Sequence, residues 1–235
     1  MMRRRENATD KAKCANFRKG SGSYTKSMTL TLPTPLRRSG TSYLRRLAPL
    51  AFLALAACSP KPAAFNSMDV TGANWGQAFS LPNLDGEITT EKSFPGKVTA
   101  VFFGFLYCPD ACPAHLQKMQ EVKAQLGQGA DKLQVVFITV DPERDQPEAL
   151  KKFLASFDPS YVGLRGSREQ TDALTKDFRV YAKKVESSVA KADPMSYTID
   201  HTTFTYVYDT KGALRLVVPA GLEVDKLTAD IRQLL

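Results

Sequence analysis

Two runs of unbroken apolar residues stand out along the chain, 98–105 (VTAVFFGF) and 133–140 (LQVVFITV). Both are rich in β-branched and aromatic residues and neither alternates with polar positions. That pattern predicts strands buried on both faces. Asp141-Pro142 ends the second run, because proline cannot continue a ladder of hydrogen bonds. Between the runs, residues from about 113 to 126 read as a helix, and so do residues 147–157, with Pro147 in the first turn where its missing N–H is harmless. A short strand at 162–164 and a helix over 167–178 follow. Residues 202–208 alternate and are β-rich, Asp209-Thr210-Lys211-Gly212 is a turn, and 213–218 return as the hairpin partner. Residues 224–235 close the chain as a helix.

The order is β-α-β-α, then a β-hairpin, then α. It predicts an α/β sandwich of thioredoxin type, a central mixed β-sheet flanked by helices. A third apolar run has another character. Residues 47–57 are eleven apolar or small residues, preceded by Arg37, Arg38, Arg45 and Arg46 and followed by Cys58. A membrane-spanning helix needs about 20 such residues, whereas a charged segment and a short apolar run make a signal peptide. The ending Leu55-Ala56-Ala57-Cys58 resembles a bacterial lipobox, in which the cysteine is lipidated and becomes the first mature residue. The expected organisation is a disordered extension and lipoprotein signal peptide over 1–57, a lipidated Cys58 with a tether over 58–65, and a thioredoxin-like domain over 66–235. Met28 is an alternative start that shortens the leader.

The charge belongs to the leader. The chain of 235 residues carries a formal charge of +8, but residues 1–57 hold 12 of the 32 Lys and Arg and 2 of the 24 Asp and Glu. The remaining 20 basic and 22 acidic residues leave the domain slightly acidic. A basic surface for nucleic acid is therefore not expected.

The cysteines sort by position. Cys14 and Cys58 lie in the N-terminal part, and only Cys108 and Cys112 fall in the domain. Two cysteines so close do not staple a fold and suggest a metal or redox pair, with two buried structural cysteines as the plain alternative. They sit where a buried strand ends and a helix begins, the place where α/β folds hold ligands. Free N–H groups and the positive helix end favour thiolate there, which predicts lowered pKa values for both. Spacing i, i+4 brings the sulfurs to one side of the first turn, and two soft thiolates suit Cu(I).

The block GFLYCPDACP at 104–113 resembles the GF-x-x-CPD-x-CP signature of the Sco/SenC family of copper proteins. ITVDPERD at 138–145, the Asp200-His201 pair in DHTTFTYVYD, and the turn at 209–212 are similar to further segments of that family. The resemblance runs from about residue 76 to the end of the chain. It implies a thioredoxin-like fold that binds copper, as Cu(I) or Cu(II), through Cys108, Cys112 and His201. It also implies a role in maturing the dinuclear copper site of cytochrome c oxidase subunit II. With the lipobox, it places the protein in the bacterial periplasm, anchored to a membrane.

Imidazole suits copper in both oxidation states, and the chain has only two histidines. His201 is expected at the mouth of a strand and His115 on the surface of the cysteine helix. The segment before Thr203 has no proline, where thioredoxin-type oxidoreductases place a cis-proline facing their cysteines. That departure, with a histidine close by, favours metal binding over general disulfide exchange. Tyr107 stands where some relatives carry histidine. Asp110 reads as a partner contact or an ordinary helix-start acid, and 141–145 as a loop with local ion pairing. Residues 186–198 read as a lid or hairpin, with Met195 packing rather than ligating. Two other functions compete: a thiol–disulfide reductase that prepares an acceptor's cysteines for copper, and a peroxide-handling or redox-sensing protein.

Overall fold

The structure, a computed structural model, describes residues 64–186 and 196–235. The leader, Cys14, Cys58, most of the tether and Met195 lie outside the described residues. The two apolar runs form β4 (Val98–Gly104) and β5 (Leu133–Thr139), every residue of which is buried. They pair in parallel, with Val98 opposite Leu133 and Gly104 opposite Thr139. A parallel pair needs a crossover, here α1 (Ala111–Leu126), which ends at Gly127 with φ 58° and a short 3-10 segment, Gly127–Lys132.

The sheet grows outward on both sides of this pair. β6 (Val162–Leu164) adds in parallel to β5, by way of α2 (Pro147–Ala155). On the other side, β9 (Thr205–Tyr208) runs antiparallel to β4, β10 (Leu214–Val218) to β9, and the short β1 (Met68–Asp69) to β10. The order is β1-β10-β9-β4-β5-β6. α3 (Arg168–Asp177) opens with a capping box between Ser167 and Gln170, and α4 (Val224–Leu234) packs on α1. The mixed sheet with its helices is the architecture the pattern predicts.

Alternation along β4 sends successive rings to opposite faces. Phe102 stacks on His115 of α1, and Phe103 meets Phe178 and Tyr206 on the other side. Phe102, Phe103 and Phe137 are fully buried, each worth about 1.5–3 kcal/mol of apolar burial.

Two small sheets accompany the central one: the first was not foreseen, and the second flanks the segment 186–198 read as a lid or hairpin, of which 187–195 lie outside the described residues. β2 (Ser80–Pro82) pairs with β3 (Ile88–Thr90), and β7 (Ala182–Glu186) pairs with β8 (Tyr197–His201). The alternating stretch 202–208 is also divided. His201 ends β8, Thr202 donates its N–H to Tyr181 O at 2.9 Å, and the chain joins the central sheet only at Thr205. No helix among the described residues is long and apolar enough to cross a membrane.

Candidate metal centre

The C-terminal end of β4 leads through residues 105–110 into α1, and this turn carries both cysteines. Phe105 O accepts the Cys108 N–H at 3.2 Å, and Asp110 stands at the N-cap without a side-chain capping bond. Cys112 lies inside the first turn of α1, so the helix begins earlier than the pattern suggests. Its N–H donates to Cys108 Sγ at 3.4 Å. Gly104 makes room beneath: a Cβ there would come within 2.8 Å of both Cys112 Sγ and the Phe137 ring.

His201 arrives from the other side of the sequence. Its Nε2 lies 3.8 Å from Cys112 Sγ, and its Nδ1 is 3.0 Å from Thr202 O. A carbonyl can only accept, so Nδ1 carries a proton in this bond, and the bond turns Nε2 toward the sulfurs. The imidazole packs edge-on against Phe102 and Phe105. Among the described residues, Cys108, Cys112 and His201 form a group whose donor atoms all lie within 4.8 Å of one another. Metal–ligand bonds of about 2.0–2.3 Å put the donors of a trigonal site about 3.5–4 Å apart, so small movements bring all three onto one ion. Two sulfurs and one imidazole nitrogen are soft donors, fitted to a soft or borderline metal and not to magnesium or calcium.

The two thiols differ sharply, against the expectation that both are acidified. Cys108 is pulled down to about 4, first by the S–H of Cys112, which donates to its thiolate, and then by His201 and the N–H groups of residues 112 and 110; partial burial opposes this. Cys112 is pushed up, first because it supplies that bond and then by burial. One proton is shared by the pair, and it stays on the deeper sulfur. Cys108 keeps 8% of its surface and Cys112 none, so the thiolate is the outer sulfur. Both are free thiols.

His115 is not on the surface. It is 8% exposed, stacks on Phe102 with centroids 3.8 Å apart, and its Nε2 is buried without a hydrogen-bond partner. Burial, aided by Lys118, lowers its pKa to about 3, so it stays neutral. Its apolar contacts give it a core role, and it stands outside the Cys108–Cys112–His201 group.

The loop 141–145 does more than pair its own ions. Asp145 is fully buried; its Oδ2 accepts the Leu106 N–H at 3.0 Å and the Thr139 hydroxyl at 2.6 Å. Burial raises its pKa to about 6 despite these two bonds. The carboxylate thereby ties the cysteine turn to the end of β5. Sequence reasoning assigned this loop no part in the site, although its position after the second buried strand puts it beside the first.

A mixed sheet with a dithiol at a strand–helix junction and an imidazole brought to it from a hairpin defines a thioredoxin-like protein with a Cys-Cys-His centre. The family model described as SCO1/SenC matches residues 68–235. The chain belongs to the SCO1/SenC family. It is 38% identical over 137 residues to an SCO2-like protein of Rickettsia conorii, covering 58% of this chain and 65% of that one. The matched region thus spans slightly less than two thirds of that relative. The solved structure of Bradyrhizobium japonicum ScoI with copper bound is similar at 38% identity and a TM-score of 0.59, covering 67% of this chain and 98% of that one. A SCO1/SenC family lipoprotein from Bacillus anthracis is similar at 25% identity and a TM-score of 0.59, covering 73% and 99%.

Proposed function

We propose that this protein binds copper through Cys108, Cys112 and His201 and delivers it to the dinuclear site of cytochrome c oxidase subunit II. The observation that carries the reading is the convergence of two sulfurs and one imidazole nitrogen within 4.8 Å. That the similar Bradyrhizobium japonicum protein was solved with copper bound supports it. The copper is cargo. Cys108 meets it as a thiolate, Cys112 gives up its proton as it ligates, and the neutral Nε2 of His201 completes the set. Thiolates favour Cu(I), and the imidazole extends the site to Cu(II). Release needs an acceptor that offers a second set of thiolates, and Cys108, the outer of the two sulfurs, is the one such an acceptor meets first.

The asymmetry of the thiols favours a second reading, reduction of an acceptor disulfide. The Cys108 thiolate attacks one acceptor sulfur, forming a mixed disulfide and releasing the other acceptor sulfur as thiolate. Cys112 loses its proton and attacks Cys108, closing the protein's own disulfide and freeing the second acceptor thiolate. Two electrons pass to the acceptor. The test is to mix the copper-loaded protein with copper-free, reduced subunit II domain and follow the absorption of the dinuclear centre. Delivery predicts that the centre forms; a centre that forms only when oxidised acceptor meets copper-free dithiol protein plus external copper supports the reductase alone.

The same reading places the protein in the periplasm on a lipid anchor at Cys58, supported by the Arg-flanked apolar run ending in LAAC and by the likeness to a family lipoprotein. Cys58→Ser is expected to abolish fatty-acid labelling and membrane retention. Equal labelling of wild type and variant would refute the anchor.

A further inference from the structure

The histidine strand has little to hold it. Among the described residues, β7 and β8 pair with each other and not with the central sheet, and a two-stranded ribbon alone is marginal in water. Alternation puts Tyr197, Ile199 and His201 on one face of β8, with Thr198 and Asp200 exposed on the other. A rotation of the ribbon about its axis therefore swings all three together, so what holds Tyr197 also bears on how the strand presents His201, whose ring is turned locally by the Thr202 carbonyl.

Tyr197 is fixed by the loop 141–145. Its hydroxyl donates to Asp141 Oδ1 at 2.6 Å, and its carbonyl accepts from Arg144 Nη1 at 2.8 Å. The Arg144 guanidinium lies 3.6 Å from the centre of the Tyr197 ring and is ion-paired to Asp141 through Nε at 2.5 Å. Lys184, across the ribbon, covers the Tyr197 ring at 4.6 Å. Asp141 is fully buried and Arg144 nearly so, while Tyr197 is half-buried, so the charged side of this contact is shielded from water, which strengthens it. Burial and the Asp141 carboxylate hold the phenol above its ordinary pKa, so it remains a donor.

The same loop grips the cysteine side. Arg144 also faces the rings of Tyr107 at 5.0 Å and Phe105 at 5.9 Å, and Asp145 holds the Leu106 N–H. One five-residue loop thus touches both halves of the centre, the turn before Cys108 and the strand that ends at His201. We infer that Tyr197, latched by Asp141 and Arg144, is a positioning residue that sets His201 against the cysteine pair. The consequence for copper rests on the proposed ligand set; the latch itself does not.

Tyr197→Phe removes one bond and keeps the ring. It is measured beside wild type and His201→Ala, on the full chain in detergent. In the reduced, metal-free protein, amide exchange across residues 198–202 is expected to rise about tenfold or more and the His201 ring resonances to shift or broaden. Exchange in β4 and the rate of Cys108–Cys112 disulfide formation by a small-molecule oxidant are expected to stay unchanged. Cu(II) affinity is expected to fall about 10–100-fold, the range for loss of an outer partner of a metal ligand. Arg144→Lys, which keeps the charge but not the planar stack or fork, is expected to loosen the same amides. If Tyr197→Phe leaves exchange at 198–202 and the His201 resonances as in wild type, the latch is refuted. If those amides loosen while His201→Ala binds copper like wild type, the latch stands and the ligand assignment fails.

Discussion

Cys112 and His201 are 89 residues apart in the chain, yet their Sγ and Nε2 atoms lie 3.8 Å apart. The contact exists because β4 and β9 are neighbours in the sheet. The segment after β4 carries one partner and the segment before β9 the other. It links a buried sulfur that keeps its proton to a ring nitrogen whose other face is fixed by a carbonyl.

The thiol asymmetry predicts a distinctive pH profile. Cys108 is acidified to about 4 chiefly by the Cys112 S–H. Its alkylation rate is therefore expected to be flat between about pH 6 and 8 and to fall as the pH drops through about 4, instead of near the ordinary thiol value of about 8.5. Cys112→Ala removes the principal donor and is expected to move the profile upward, while Cys112→Ser, which keeps a donor, moves it less. A wild-type profile centred near the ordinary value would contradict the shared proton. Alkylation followed by mass mapping at each pH reads this directly.

Gly104 is predicted to be indispensable for a local reason. A methyl group there meets Cys112 Sγ and Phe137 at 2.8 Å, so Gly104→Ala must displace the sulfur or the ring. Overpacking of this kind costs about 1–3 kcal/mol. Gly163→Ala is the comparison, since its Cβ would come within 2.6 Å of Leu84 and 2.8 Å of Leu154 instead of the cysteines. Thermal melts are expected to show destabilisation in both, and copper stoichiometry a loss only in Gly104→Ala.

His115 links stability to pH. Burial depresses its pKa from 6.5 to about 3, so the unfolded chain takes up the proton first. Its contribution is complete above about pH 6.5 and is lost as the pH falls toward 3, with a total on the order of a few kcal/mol. His115→Leu keeps an apolar body against Phe102 and removes the titration. Urea melts at a series of pH values are expected to show a shallower acid decline in the variant. Parallel declines would contradict a buried neutral imidazole.

The core of the fold was legible because its signal is local. The runs at 98–105 and 133–140 have nowhere to go but the middle of a sheet, and the strand at 162–164 falls between turn residues. β2 and β3 are three residues long, too short to carry a period. β8 was hidden for another reason: Tyr197, Ile199 and His201 do alternate, but the eye runs on from His201 into the stronger pattern that follows. The burial of His115 had a readable signal. Cys112, Leu116, Met119, Val122 and Leu126 make a stripe at helical spacing, and His115 sits within it. The approach of His201 to the cysteines, by contrast, depends on strand order, which residue patterns leave open; it came from the resemblance of motifs. The latch through Asp141 and Arg144 likewise joins segments more than 50 residues apart, and no spacing announces it.

The central claim, that His201 completes a copper site with Cys108 and Cys112, is tested most directly by titrating the reduced protein with copper, with and without that imidazole. Wild type, His201→Ala and His115→Leu are compared by Cu(II)–thiolate charge-transfer absorption and by competition for Cu(I). One equivalent is expected to bind wild type and His115→Leu alike. In His201→Ala the Cu(II) band is expected to disappear or move, with affinity down more than the roughly 100-fold that loss of an outer partner would cause, while Cu(I) on the two thiolates suffers less. A His201→Ala variant that binds both oxidation states like wild type, with an unchanged band, would contradict the account.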